Sequence, residues 1–166
     1  MQPLRIITCL VLALVVSCPS LSWADFVAKV VMVHEGDLLT IRHDGRSQMI
    51  YLKDIDCPDL KQPYGKQAKH ATAAFVGNRE VVVRALVRDK QGRTSAEVHL
   101  PNGPNIGREL VKEGLAWWKR SGSGDLSLGD LEELARAEHK GLWSEPDPVP
   151  PWNWKVTKKT RRKYSN

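Results

Sequence analysis

Between Asp25 and Leu100 the chain repeats one device: a short aliphatic or β-branched run, a tight-turn signal, then another such run. Phe26 to Val33 leads through the turn Glu35-Gly36-Asp37 into Leu38 to Arg42, and Asp44-Gly45 then turns the chain into Gln48 to Lys53. Asp-Gly supplies the positive φ values that a two-residue hairpin loop requires, so these three segments read as an antiparallel meander. Glu80 to Val87 and Thr94 to Leu100, on either side of Gln91-Gly92, add two more strands. An open sheet of five short strands would leave two edges unprotected, and closing it into a barrel removes them.

Three helical segments accompany the strands. Ala68, Ala71, Thr72 and Phe75 recur at helical spacing until Gly77-Asn78 interrupts them. Asn105 is placed to cap a helix running through Glu113, with Ile106, Leu110 and Val111 on one face and Gly114 just past its end. Ser127-Leu128-Gly129-Asp130 has the form of a capping box and predicts a third helix that turns Leu131, Leu134 and Ala135 inward and stops at Gly141. Ser121-Gly122-Ser123-Gly124 reads as a loop between the last two. The expected fold is α+β, mainly β: a five-stranded OB-type β-barrel with about three helices.

At 166 residues the chain holds one domain with a full core and tails. Residues 1–24 read as a signal peptide: Arg5 is a basic start, Ile6 to Val16 is an apolar run short for a bilayer, and Ser22-Trp23-Ala24 is a small-x-small cleavage site. The protein is therefore expected to be secreted or periplasmic. The alternative is a lipoprotein anchored through Cys18, suggested by Val15-Val16-Ser17-Cys18. Cleavage after Ala24 removes Cys9 and Cys18 and leaves Cys57 alone, which excludes an internal disulfide and assigns stability to core burial. The formal charge of +6 falls by one to +5 with Arg5 gone, and Lys155, Lys158, Lys159, Arg161, Arg162 and Lys163 crowd the end of a Pro- and Trp-containing tail over 146–166. That balance suits a polyanionic partner.

Three carboxylates each follow a strand-like run: Asp37, and Asp56 with Asp59 in Ile55-Asp56-Cys57-Pro58-Asp59. Hard cations such as Ca²⁺ take oxygen ligands in flexible geometry, and Asp37 with Asp56 supply such oxygens. Asp59 is placed to act as general base on a water, and Arg93, in the turn Asp89-Lys90-Gln91-Gly92-Arg93, to offset charge on a phosphate. No Cys/His grouping has zinc spacing, since His34, His43, His70, His99 and His139 are scattered over unrelated elements. Taken singly, Asp-Gly and Pro-Asp pairs are ordinary turn chemistry; their order and spacing together are what point to a site.

That order resembles the staphylococcal nuclease, or thermonuclease, family. Its pattern of Asp-Gly-Asp-Thr, then Arg-Leu-x-Gly-Ile-Asp-x-Pro-Glu, then Gln-Pro-x-Gly-x-x-Ala, then Asp-x-x-Gly-Arg has counterparts here. They are Glu35-Gly36-Asp37-Leu38, Tyr51-Leu52-Lys53-Asp54-Ile55-Asp56-Cys57-Pro58-Asp59, Gln62-Pro63-Tyr64-Gly65-Lys66-Gln67-Ala68 and Asp89-Lys90-Gln91-Gly92-Arg93. The likeness runs on through Leu110-Val111-Lys112-Glu113-Gly114-Leu115-Ala116-Trp117-Trp118, and through Gly141-Leu142-Trp143 to Pro148-Val149-Pro150-Pro151-Trp152, and residues 25–145 are identified as the nuclease-like OB domain. The resemblance implies that Asp37 and Asp56 bind Ca²⁺ with the Cys57 backbone carbonyl, that Arg93 contacts the phosphate, and that products carry 3′-phosphates. A nucleic acid, DNA or RNA, is the implied partner; no protein partner is implied, and the chain is expected to act as a monomer.

Several positions depart from the pattern. Asp59 stands where the family has a glutamate, one methylene longer. Tyr51 takes the place of the family's first phosphate-binding arginine, and a phenol brings one hydrogen bond and no charge where guanidinium grips two oxygens. Lys53, two residues on and so on the same side of an extended strand, is the candidate substitute for that charge, the alternative being a solvated strand lysine. Arg120 and Gly122 align with two tyrosines that pack on the nucleotide, while Trp117, Trp118, Trp143, Trp152 and Trp154 read as packing residues. The expected function is an exported Ca²⁺-dependent nuclease; the alternative is a catalytically impaired nuclease-like module that binds nucleic acid or other polyanions.

Overall fold

The computed structural model describes residues 25–88, 92–121 and 123–154. The signal peptide, Cys18, Asp89 to Gln91, Gly122 and the basic residues from Lys155 onward lie outside the described residues. In chain order the elements are β1 (Phe26–Val33), β2 (Leu38–His43), β3 (Arg46–Leu52), β4 (Ile55–Asp56), α1 (Gly65–Val76), β5 (Glu80–Arg88), β6 (Thr94–His99), α2 (Ile106–Lys112), β7 (Trp117–Trp118) and α3 (Ser127–Ala137). A 3₁₀ turn over Gly141–Ser144 follows.

The five long strands close into a barrel in the order β1-β2-β3-β6-β5, with β5 pairing back onto β1. Asp44 at φ 46° and Gly45 at φ 74° form the β2–β3 loop, as the Asp-Gly signal requires. β3 and β6 run parallel, with Tyr51 opposite Ser95 and Leu52 opposite Ala96. Register shifts fall between Val30 and Met32 in β1 and between Arg84 and Val87 in β5, where Ala85 takes φ 48°. Such bulges sharpen the bend of a strand, which a small closed barrel needs. Val30, Ile41, Ile50, Val81, Val83 and Val98 point inward and are fully buried, and Ile106, Leu110 and Val111 of α2 close one end. Burying each such side chain stabilises by about 1.5–3 kcal/mol.

The first two helices match the expectation, and Asn105 caps α2 by accepting from the amides of Gly107 at 2.8 Å and Arg108 at 3.3 Å. The third does so only in part. Ser127 lies inside α3 rather than capping it, and it is Asp125 Oδ1 that accepts from the Ser127 amide at 3.1 Å while Arg108 holds the other oxygen at 2.7 Å. Leu134, expected inward, is 60 % exposed; Glu132 is buried in its stead beside Leu128 and Ala135. The carboxylate tolerates burial because Arg136 donates to Oε1 at 2.7 Å and the Trp118 amide to Oε2 at 2.8 Å.

Two elements have no counterpart in the sequence reading. β4 and β7 form a two-residue antiparallel ladder, Ile55 opposite Trp118 and Asp56 opposite Trp117, extended by the Lys119 amide donating to the Asp54 carbonyl at 2.9 Å. This ladder fastens the Asp56 loop to a second small core of Trp117, Ala135, Leu142 and Trp143.

Candidate active site

The turn between β1 and β2 packs against α1 with almost no gap. A Cβ on Gly36 would lie 2.8 Å from both the Ala68 Cβ and the Cys57 Sγ, and the Thr72 hydroxyl donates to the Gly36 carbonyl at 2.6 Å. Asp37 follows, 5 % exposed, its carbonyl accepting from the Leu52 amide at 2.8 Å. Beyond β3, Asp54 takes the left-handed conformation at φ 63° and reverses the chain into β4. That reversal brings Asp56 and Cys57 back to Asp37, whose Oδ2 accepts from the Cys57 amide at 3.3 Å.

Burial pushes the Asp37 carboxyl up from 3.8 to about 7, and the neighbouring Asp56 charge adds to the rise against the opposing Cys57 amide bond. Glu35 contributes in the same sense. Burial likewise holds the Cys57 thiol well above its ordinary value, reinforced by Asp37, Asp56 and Glu35. The thiol is therefore neutral, and Cys57 meets the site through its backbone. Like charges held together in a buried pocket are relieved by a cation. Among the described residues no three His, Cys, Asp or Glu side chains gather into a ligand cluster. Asp37, Asp56 and the Cys57 carbonyl offer oxygens, the donor type that a hard divalent ion prefers and a soft one does not.

Asp59 sits three residues on, in a loop fixed at both ends. Its amide donates to Gln62 Oε1 at 2.8 Å, its carbonyl accepts from the Gln62 amide at 2.7 Å, and Gln62 Nε2 reaches the Val149 carbonyl at 3.0 Å. A Cβ on Gly65 would collide with the Asp59 carbonyl at 2.0 Å. Gln62 thus pins the Asp59 loop, Gly65 admits its carbonyl, and the small side chain of Ala68 admits Gly36. On the other side of the site Arg93 and Asp56 line one cleft of about 660 Å³, together with Trp117, Trp118, Arg120 and Trp152.

A family model for staphylococcal nuclease homologues matches residues 49–145 of this sequence. The chain belongs to the staphylococcal nuclease family. The matched segment takes in Tyr51, Asp56, Asp59 and Arg93, with Asp37 ahead of it. An uncharacterized endonuclease of Escherichia coli O157:H7 is 36 % identical over 135 residues, 81 % of this chain and 88 % of the relative. A micrococcal nuclease of Shigella flexneri is 33 % identical over 156 residues, 88 % of either chain. A probable staphylococcal-like nuclease of rice is 30 % identical over 117 residues, 70 % of this chain and 32 % of the relative.

Lys53, the candidate substitute for the missing arginine, lies one residue beyond β3 and opens a turn, its amide still donating to the Ala96 carbonyl of β6 at 2.9 Å. Its ammonium lies 3.5 Å from Asp54 and 3.8 Å from Glu97, in a separate small cavity with Asn105 and Arg108. Tyr51 is half-buried, opposite Leu38 on the neighbouring β2 and Ser95 on the neighbouring β6.

The tryptophans divide into two groups. Trp117 and Trp143 pack edge to face at 4.4 Å, and the Arg136 guanidinium lies 3.6 Å from the Trp143 ring centre, as packing residues should. Trp152 touches Trp117 with ring centres 5.9 Å apart, yet stays 43 % exposed on the cleft wall. Arg120 extends over Trp118 at 5.5 Å and toward Glu132 at 3.6 Å, and lines the same cleft. Alignment with a nucleotide-packing tyrosine points to position 120, whereas no signal in the sequence gives Trp152 a cleft role. Trp152 is separated from Asp56 by most of the domain, and only folding of the Pro-rich segment brings them together.

Proposed function

We propose that this chain is an exported, Ca²⁺-dependent nuclease that hydrolyses phosphodiester bonds of DNA or RNA as a monomer. The observation that carries the reading is the buried Asp37, whose ionisation is opposed by burial and by the neighbouring charge of Asp56, with Asp56 itself lining a cleft shared with Arg93. The names of the relatives and the basic charge of the whole chain support it.

Asp37, Asp56 and the Cys57 carbonyl would hold the ion, which supplies Lewis-acid polarisation of a phosphoryl oxygen. Arg93 donates to the phosphate oxygens and offsets the charge that develops there. Asp59 takes the proton of the attacking water, and Gln62 keeps the backbone of that base from drifting. The test is cleavage of a labelled oligonucleotide by the purified mature chain. Calcium supports turnover, chelation stops it, and Asp37→Ala or Arg93→Ala removes most of it. Turnover indifferent to all three refutes the reading, and recovery of the exported protein with Asp25 at its N-terminus checks the cleavage site.

A second reading, a module that binds nucleic acid and cleaves it poorly, is favoured by one observation. Tyr51 brings no charge, and the nearest stand-in, Lys53, is committed to Asp54 and Glu97.

A further inference from the structure

We propose that Trp152 is a base-stacking residue that gives the cleft a preference for single-stranded nucleic acid. The inference rests on the nuclease reading for the polymer it names, and on the following geometry for the rest.

The segment that carries Trp152 is held in place. Gln62 Nε2 donates to the Val149 carbonyl at 3.0 Å, Pro151 is buried, and a single helical turn over 151–154 is closed by the amides of Asn153 and Trp154 donating to the Pro150 carbonyl. Prolines at 148, 150 and 151 fix φ along this stretch, so the ring is presented with little conformational freedom left to lose. An aromatic ring that stays 43 % exposed on a pinned segment forgoes burial energy that Trp117 and Trp143, a few ångströms away, obtain in full.

The other rings nearby are taken. Trp118 is packed so tightly on α3 that a Cβ at Gly129 would come within 2.8 Å of it, and Arg120 covers it at 5.5 Å. Trp143 is covered by Arg136. Trp152 is the cleft ring with a large open surface, and it lines that cleft with Asp56 and Arg93. Around it stand Lys119 and Arg120, which match a phosphate backbone in charge.

A base in a duplex has both faces covered by its neighbours, whereas an unpaired base offers a face to an aromatic side chain. At about 660 Å³ the cleft falls within the range, roughly 300–1,000 Å³, that holds a small organic group. A base flanking the phosphate at Arg93 is therefore the group that Trp152 is built to receive. Because every base has such a face, the preference is for unpaired strand over duplex, with little regard to sequence.

The experiment is fluorescence-anisotropy binding to the mature chain in chelator, so that no strand is cut. Three probes are compared: a labelled short oligothymidylate, a strand of the same length made of abasic sites, and a hairpin duplex. Trp152→Ala should weaken the oligothymidylate roughly tenfold or more and move the other two by less than about twofold. Trp152→Phe, which keeps a ring, should retain most of the affinity and decides the matter if the alanine variant melts early. Equal losses on the abasic strand, unchanged binding of oligothymidylate, or a phenylalanine variant as weak as alanine while still folded would each overturn the proposal. A wild type that shows this base-dependent binding but cuts no probe once calcium is added overturns the nuclease reading and leaves Trp152 in its role.

Discussion

The Cys57 amide donates to Asp37 Oδ2 at 3.3 Å, tying a carboxylate that is inside the protein to the residue next to a second one, Asp56. Two turns that are distant along the chain are locked by that bond, one leading into β2 and the other leaving β4. The same bond lowers the cost of ionising Asp37, but burial and the Asp56 charge outweigh it. The site is thus organised before any ion arrives, and it holds unfavourable charge that an ion would relieve.

A direct consequence is a pH-dependent loss of stability without metal. The folded Asp37 carboxyl sits at about 7 against 3.8 when unfolded, so its contribution to stability is fully present below about pH 3.8 and is lost as pH rises through about 7. Denaturant titrations in chelator should show the wild type losing on the order of 3–4 kcal/mol relative to Asp37→Asn across that window. Saturating calcium should flatten the difference. Parallel curves for the two proteins in chelator would show that Asp37 ionises as freely inside as outside.

Gly36 offers a second handle, because no side chain fits there. A methyl group would press on Ala68 and on Cys57 at 2.8 Å, and overpacking of this kind costs about 1–3 kcal/mol. Gly36→Ala should lower the melting temperature and weaken calcium binding together, since the displaced residue is the neighbour of Asp37. Cys57→Ala, which removes the sulfur from that contact, should restore part of both. A Gly36→Ala protein that melts and binds calcium like the wild type would mean that the turn has slack.

Much of this architecture is legible in the sequence because its signals are local. Asp44-Gly45 dictates its own hairpin, and Asn105 caps the helix that starts beside it. The carboxylates are legible through their order alone, yet their convergence depends on the reversal at Asp54, whose positive φ no hydrophobic period reveals. The β4–β7 ladder is two residues long, too short for any alternation to register, and exists because a tertiary contact makes it. Leu134 and Glu132 show the same limit in reverse. Apolarity argues for turning the leucine inward, but Arg136 and the Trp118 amide satisfy the glutamate so well that it takes the buried place. The ion pairs of Lys53 with Asp54 and Glu97 are equally invisible in the sequence, because the second joins residues that only the pairing of β3 with β6 brings together.

Gln62 connects the Asp59 loop to the Pro-rich segment, and its removal should separate positioning from folding. Gln62→Ala deprives the part-buried Asp59 amide and the Val149 carbonyl of their partners, a loss of about 1–3 kcal/mol. Where both proteins are folded, kcat should fall roughly tenfold or more with KM little changed if, as proposed, Asp59 acts on the water and not on the bound strand. Gln62→Glu keeps an acceptor for the Asp59 amide and should retain more of kcat than alanine does. An unaltered kcat in Gln62→Ala would remove the Asp59 loop from the reaction.

The clearest discriminator between a working nuclease and an impaired one lies at Tyr51. Its neighbour Leu52 donates to the Asp37 carbonyl at 2.8 Å, so a side chain at 51 starts close to the carboxylates, whereas the Lys53 ammonium is held by Asp54 and Glu97. A guanidinium at 51 would add a two-pronged donor for the phosphate where the phenol gives a single neutral one. Groups of that kind contribute about a hundredfold to kcat when aimed at developing charge. Tyr51→Arg should therefore raise calcium-dependent cleavage by roughly tenfold to a hundredfold, while Lys53→Ala changes it by less than about twofold. If instead Tyr51→Arg brings no gain and Lys53→Ala abolishes cleavage, then Lys53 leaves its ion pairs to serve the phosphate, and the site lacks nothing that an arginine could supply.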